Sequence, residues 1–402
     1  MAGTETHHVV VIGAGIVGCC TAFELAKRGV KDVLVLEKGT VASGPTGRSS
    51  GILRQFYTHP TLVQMARQGL QAYASCRDET GYDAGFTLTG WLLVVNQASE
   101  PVARNGLDVQ QHFSVPSRWL SVEDIAELVP DITTADLIGG VYEADSGYGD
   151  PAGAANAFLS RAREMGVVYR PDCELLDWAV AGPGVIEVVT SQGKLQAGVV
   201  LNCAGSWVPG ILERRGCPIP VSTSRHQIIT VREAARPTRP IVSDPLTYCY
   251  IRPEGRDLTL IGSSDPADAE DVVDVDACPS GIEATAMESL VSRARRRLPA
   301  LEDAGIAHGW SGVYDVSADG FPILGPVPGV EGMVLATGLS GHGFKLAPAI
   351  AEILASFVTD SIPDSRAQLF RWSRFAEGDP IRSITTSALT TMKDERTTHV
   401  GT

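Results

Sequence analysis

A short β-branched run, Val9-Val10-Val11-Ile12, leads directly into Gly13-Ala14-Gly15-Ile16-Val17-Gly18, and an amphipathic stretch follows over residues 16–28. The order is strand, glycine turn, helix, and no other feature constrains the fold as much. Gly13 permits the tight turn, Gly15 removes the side chain that would block a pyrophosphate, and Gly18 lets the helix pack close to the strand. The helix N-terminus then faces the phosphates, so the whole turn, Gly13 to Gly18 with Ala14, Ile16 and Val17, is assigned to a dinucleotide. A second strand over residues 33–37 ends in Glu37, next to Lys38, where a carboxylate accepts hydrogen bonds from an adenosine ribose. An acid there favours an unphosphorylated 2′-hydroxyl. The geometry leaves NAD and FAD both open.

The chain has 402 residues with 44% apolar content, enough for two cores. Its 33 basic and 47 acidic residues give a net charge of −14, which argues against nucleic acid as a partner. The basic run over residues 293–297 reads as a solvated helix face. The eight cysteines show no metal-ligand spacing and fit reduced thiols in a cytoplasmic protein. No signal peptide, membrane span or fixed-period repeat is expected.

Four further stretches extend the pattern. The first is a Gly/Ser/Thr-rich segment over residues 39–57, containing Thr46, Gly47, Arg48, Ser49, Ser50 and Gly51 and leading to Arg54. The second is Gly149-Asp150-Pro151, an N-cap and first helical residue ahead of a helix over 152–165. The third, over 199–207, contains Cys203, Ala204, Gly205 and Trp207. The fourth pairs residues 319–325 with a segment over 338–347 holding Gly338, Ser340, Gly341, His342, Gly343, Phe344 and Lys345. Together they resemble the D-amino-acid oxidase superfamily over most of the chain, and most closely its sarcosine oxidase, dimethylglycine dehydrogenase and glycine oxidase branch.

The resemblance implies FAD rather than NAD. It also implies that Glu174 and Leu175 lie at the adenine and that the late glycine segment covers the flavin ring. Independently, three glycines within residues 338–343 let backbone N–H groups approach a planar ring. A helix over 346–357 would aim its positive end at the flavin edge that gains negative charge on reduction.

The resemblance further places Arg54 and Lys345 as a pair of cations holding a substrate carboxylate, a task that suits an Arg fork. It makes Tyr314 an active-site tyrosine, and it gives His342 a role through its backbone rather than its imidazole. Gly312 and Arg48 stand where related enzymes carry a cysteine or histidine linked to the flavin, so the FAD is expected to be non-covalent. Thr259 is matched to the lysine that activates oxygen, which speaks against fast oxygen reduction.

The expected fold class is α/β: a Rossmann-type FAD-binding domain with a second, antiparallel-sheet (α+β) substrate domain. Residues 1–85, 146–215 and 318–360 are assigned to the first, 86–145 and 216–317 to the second, and 361–402 to a C-terminal segment with a loose tail. Strands over 87–95, 139–142, 225–231, 248–252 and 258–262 are expected to build the substrate sheet. The expected reaction oxidises the C–N bond of a small amino acid or secondary amine by hydride transfer to the flavin, giving an imine that hydrolyses. Electrons then pass to oxygen or another acceptor. The alternatives are an FAD-dependent 2-hydroxy-acid dehydrogenase and a non-catalytic or electron-transfer flavoprotein subunit; oligomeric state is left open.

Overall fold

The computed structural model describes residues 5–233 and 239–382. Strand Glu5–Ile12 pairs in parallel with Val33–Leu36 on one side and with Gly193–Asn202 on the other. Val168–Arg170 extends the sheet beyond Val33–Leu36, and Met333–Thr337 joins it beside Val200, Leu201 and Asn202. With the hairpin Leu175–Gly182/Val185–Thr190 and with Ile323–Pro326, the sheet has eight strands.

Both of its faces are covered, which is why Val9 to Ile12 is continuously apolar rather than alternating. Val9, Val11, Val33 and Val35 pack under the helices Ile16–Lys27, Pro151–Glu164 and Gly343–Thr359. Val10, Ile12, Leu34 and Leu36 face Trp178, Ile186 and Leu212. Asp150 caps Pro151–Glu164 through the Ala152 N–H, as the Asp-Pro pair implies.

A second eight-stranded sheet runs in the order Gly305–Ser317, Val221–Arg232, Leu258–Ser263, Cys249–Glu254, Ile241–Asp244, Trp91–Val95, Gly139–Glu143, Ser117–Leu120. It is antiparallel except that Ile241–Asp244 and Trp91–Val95 are parallel. Alternation divides it cleanly. Ile229, Val231, Val242, Ile251 and Ile261 pack on Leu290 and Ala294 of helix Ala284–Arg297, whereas His226, Ser243, Tyr250 and Trp91 face a cavity between the sheets.

Several expectations need correction. The stretch 87–95 is not one strand: Thr87–Leu88 pairs with Gly147–Tyr148 in a small third sheet, and the chain turns at Gly90 before Trp91–Val95. The late helix starts at Gly343, inside the glycine segment, rather than at residue 346. The basic run is not wholly solvated. Arg297 is buried, its guanidinium donating to Asp244 at 2.6 Å and to Asp136 at 2.9 Å, because a buried carboxylate on the sheet requires a cation. The segment after residue 360 is anchored as far as it is described: Arg374 is fully buried and holds Asp319 through two 2.8 Å bonds. The tail over residues 383–402 lies outside the described residues.

Candidate active site

One cavity of about 940 Å³ runs between the two sheets. At its nucleotide end, Gly13 has φ +95°, and a Cβ there would lie 2.8 Å from the Cys203 carbonyl oxygen. A Cβ on Gly18 would come within 1.9 Å of the Gly13 carbonyl oxygen, so the close approach of helix and turn needs glycine. Glu37 accepts from the Ala14 N–H at 2.8 Å and the Gly39 N–H at 2.9 Å. Each carboxylate oxygen keeps a further lone pair for a ligand hydroxyl. Ser206 Oγ, on the cavity wall, is buried without a partner.

Gly13, Gly15, Ile16, Val17, Glu37, Lys38, Thr46, Arg48, Ser49, Ser50, Glu174, Leu175, Cys203, Ala204, Gly205 and Trp207 all line this cavity. Ala14, Gly18, Gly47, Gly51, Gly312 and Gly338 do not, and serve behind the wall. Ala14 orients Glu37, and Gly51 at φ +66° leaves room for the Gly149 carbonyl. Gly47 passes close to the Ala42 carbonyl, and Gly338 to the Ser317 side chain. Gly312 lies against Arg48, whose Cβ would be 3.2 Å from a Gly312 Cβ. The Lys38 amine is engaged by Asp276 at 2.8 Å and sits 4.0 Å over the Trp207 ring.

At the far end the glycine segment approaches the second sheet. Gly341, at φ +76°, admits no side chain, because a Cβ would lie 2.6 Å from the Tyr314 ring. Asp315 braces this segment: its carboxylate accepts from the Leu339 N–H at 3.1 Å and Thr337 Oγ1 at 3.3 Å, and its carbonyl from the Ser340 N–H at 2.8 Å. Burial pushes the Asp315 carboxyl up to about 6.

Lys345 and Arg54 both line this end and are both buried. Lys345 Nζ donates to the Gly341 carbonyl at 3.4 Å, and no carboxylate pairs with it among the described residues. Desolvation, then the nearby Arg54 charge, holds its amine well below the usual lysine value. The Arg54 guanidinium donates to the Phe56 carbonyl and lies 4.9 Å from the Tyr57 ring and 5.7 Å from Trp91. Tyr314 stacks on His226 with ring centroids 3.8 Å apart. The His342 imidazole is buried and pairs with Tyr57 Oη through Nδ1 at 2.7 Å, so its ring is committed to the core.

Thr259 does not reach the cavity. It pairs with Val231 and Pro253 and shares the face of Ile261, where its hydroxyl bonds Glu233 and Arg239. By alternation Leu260 and Gly262 share the sheet face of Tyr250, opposite to that of Thr259. Among cavity residues that the motifs did not single out are His226, Tyr250, Ser264, Asp268 and Asp276.

The glycine cradle, Glu37 and the orphaned Ser206 hydroxyl fit a dinucleotide, and the glycine cover fits a flat ring beyond it. The chain belongs to the FAD dependent oxidoreductase (DAO) family, whose model matches residues 8–357. It is 27% identical over 383 residues to the mitochondrial sarcosine dehydrogenase of Mus musculus, covering 92% of this chain and 42% of that protein. The chain therefore spans less than half the length of that relative. It is 27% identical to the glycine oxidase of Geobacillus kaustophilus, covering 88% and 93% of the two chains. In structure it is similar to L-proline dehydrogenase from P. horikoshii, with a TM-score of 0.86, 25% identity, and 94% and 100% of the two chains covered.

Proposed function

We propose that this chain binds FAD non-covalently and oxidises the C–N bond of a small, carboxylate-bearing amine or amino acid, sarcosine- or glycine-like at its reacting end. The observation that carries this is the pair Arg54 and Lys345, two buried cations on one cavity wall, with Lys345 lacking a carboxylate partner among the described residues. Such a pair attracts a carboxylate, because an anion relieves both the desolvation and the mutual repulsion. FAD, when bound, supplies the two-electron acceptor for the carbon beside nitrogen. Arg54 and Lys345 hold the carboxylate, Tyr314 and Tyr250 wall the reacting end, and the braced glycine segment presents backbone N–H groups. Gly312 has no nucleophile, and Arg48 beside it is a poor one, which supports releasable FAD. Eight unpaired cysteines suit a reducing compartment such as the cytoplasm.

Acid denaturation should release a yellow supernatant. Anaerobic mixing with N-methyl and primary amino acids should bleach the native flavin band, whereas hydroxy-acid counterparts should not. Arg54→Gln should lower kcat/KM for carboxylate substrates by roughly 30- to 1,000-fold while the oxidised flavin spectrum persists. Unchanged kinetics in that variant, with flavin bound, would rule out the carboxylate clamp.

A further inference from the structure

The same cavity carries a second polar group that the proposed reaction does not use. The short 3-10 turn Pro266–Glu270 lies over Val221–Arg232 and places Asp268 on the cavity lining with Ser264, His226, Tyr250 and Tyr314. Asp265 and Asp271, three residues to either side of Asp268, are each consumed by an arginine: Asp265 by Arg293 at 2.8 Å and Asp271 by Arg225 at 2.9 Å. Asp268 pairs with no arginine: burial raises its carboxyl pKa against the opposing Ser263 hydrogen bond and Arg293 charge, and its Oδ2 is buried without a hydrogen-bond partner. The nearest cation candidate, His226 Nδ1, stands at 3.9 Å, beyond hydrogen-bond reach, and burial holds that imidazole neutral by pushing its pKa down to about 4. Ser264 Oγ on the same wall is likewise buried and unpartnered.

A buried carboxylate oxygen and a buried hydroxyl left unsatisfied in one cavity each cost free energy unless a ligand completes them. What completes a carboxylate is a hydrogen-bond donor, and a cation best of all. The connection to the other end is short: His226 stacks on Tyr314, Tyr314 abuts Gly341, and the Gly341 carbonyl receives Lys345. Along this path the cavity wall thus carries basic side chains at Arg54 and Lys345 and an acidic side chain at Asp268.

We infer that Asp268, assisted by Ser264, forms a specificity subsite for a second N–H donor on the substrate, so that the preferred substrate carries an ammonium group remote from its carboxylate. The class is that of basic or diamino carboxylic acids and their N-alkyl forms. The inference rests on the carboxylate clamp of the proposed function, and the test separates the two. His226 is a spacer here: neutral and stacked, it leaves the Asp268 charge for the ligand.

The experiment titrates the FAD-loaded enzyme with unreactive straight-chain carboxylates and with the same chains ending in an ammonium group, reading perturbation of the oxidised flavin absorbance. The ω-ammonium ligands should bind roughly 10- to 100-fold more tightly than their alkyl counterparts, the range of one charge-assisted hydrogen bond. Asp268→Asn should remove that preference while leaving alkyl carboxylate affinity within about twofold. Ser264→Ala, which deletes only an unbonded hydroxyl, should reduce it partially and controls for misfolding of the first variant. Equal affinity for both ligand series, or an equal loss of both in Asp268→Asn, overturns the subsite. If no carboxylate binds but alkyl diamines outcompete alkylamines in a manner lost in Asp268→Asn, the clamp falls and the Asp268 subsite stands. If neither series perturbs the flavin, both fall.

Discussion

The nucleotide end of the cavity rests on backbone, held by glycines whose missing side chains admit carbonyls and N–H groups, whereas the wall of the second sheet rests on side chains displayed by alternation. Gly13, Gly18 and Glu37 come from two strands joined by one helix. His226, Ser243, Tyr250 and Tyr314 come from four strands, and each reaches the cavity only because the register puts its side chain on that face. The first arrangement tolerates little substitution and fits the cofactor for which its family, FAD dependent oxidoreductase, is named. The second can change ligand with one residue, because its backbone is indifferent to which side chain it presents.

The sharpest way to break this comparison is Gly18→Ala. The added methyl would sit 1.9 Å from a backbone oxygen, so the variant should lose at least about 3 kcal/mol of stability and its yellow colour. Thermal unfolding and the flavin spectrum read both, and an unaltered melting temperature would refute the close-packing account.

A smaller effect tests the junction of the two regions at Asp315. Its folded-state pKa, about 6, lies above its ordinary value of 3.8. Between those values the folded state holds a proton that the unfolded state has released, so this group's contribution to stability is present at low pH and is lost as pH rises through about 6. Asp315→Asn removes that dependence. The stability of wild type minus variant should therefore decline from pH 4 to pH 7 by up to about 3 kcal/mol. Parallel melting profiles across that range would mean that the brace on the glycine segment is not titrating there.

The smallest effect is expected at Asp276, which bridges Lys38 and the Trp207 indole N–H, each at 2.8 Å, across the cavity rim. Both charged partners are exposed and screened, so Asp276→Ala should weaken FAD retention by less than about fivefold, with the difference vanishing at high salt. A large, salt-independent loss would instead make the rim part of the cofactor cradle.

The same contrast explains what the sequence could disclose. The strand, glycine turn, helix and terminal acid are contiguous, and each residue type is required by backbone geometry, so the nucleotide site was legible from spacing alone. Resemblance added Arg54 and Lys345, which the fold brings to one wall. His226, Tyr250 and Asp268 carried no local signal. They lie far apart in the chain, and period-two alternation shows that side chains divide between faces without showing which face meets the cavity. Thr259 illustrates the cost: it stands on the face of Ile261, away from the cavity, and nothing in its local sequence shows this. Arg297 illustrates another. Its helix reads as charged and solvated, and nothing near it in sequence reveals that Asp244 waits beneath.

The cofactor sheet also imposes an order of assembly. Val9 to Ile12 finds one neighbour in Val33–Leu36 but the other only in Val199 to Asn202, which in turn pairs with Met333, Val334 and Leu335. At ribosomal speeds of roughly 5–20 residues per second, about 15 to 60 seconds separate synthesis of the first strand from that of Met333–Thr337. Until Gly193–Asn202 is made the edge of Val9 to Ile12 stays open, and from then until Met333–Thr337 is made the edge of Val200 to Asn202 does. A nascent chain of this kind cannot close its flavin pocket as it emerges; the nucleotide turn that is translated first becomes functional among the last.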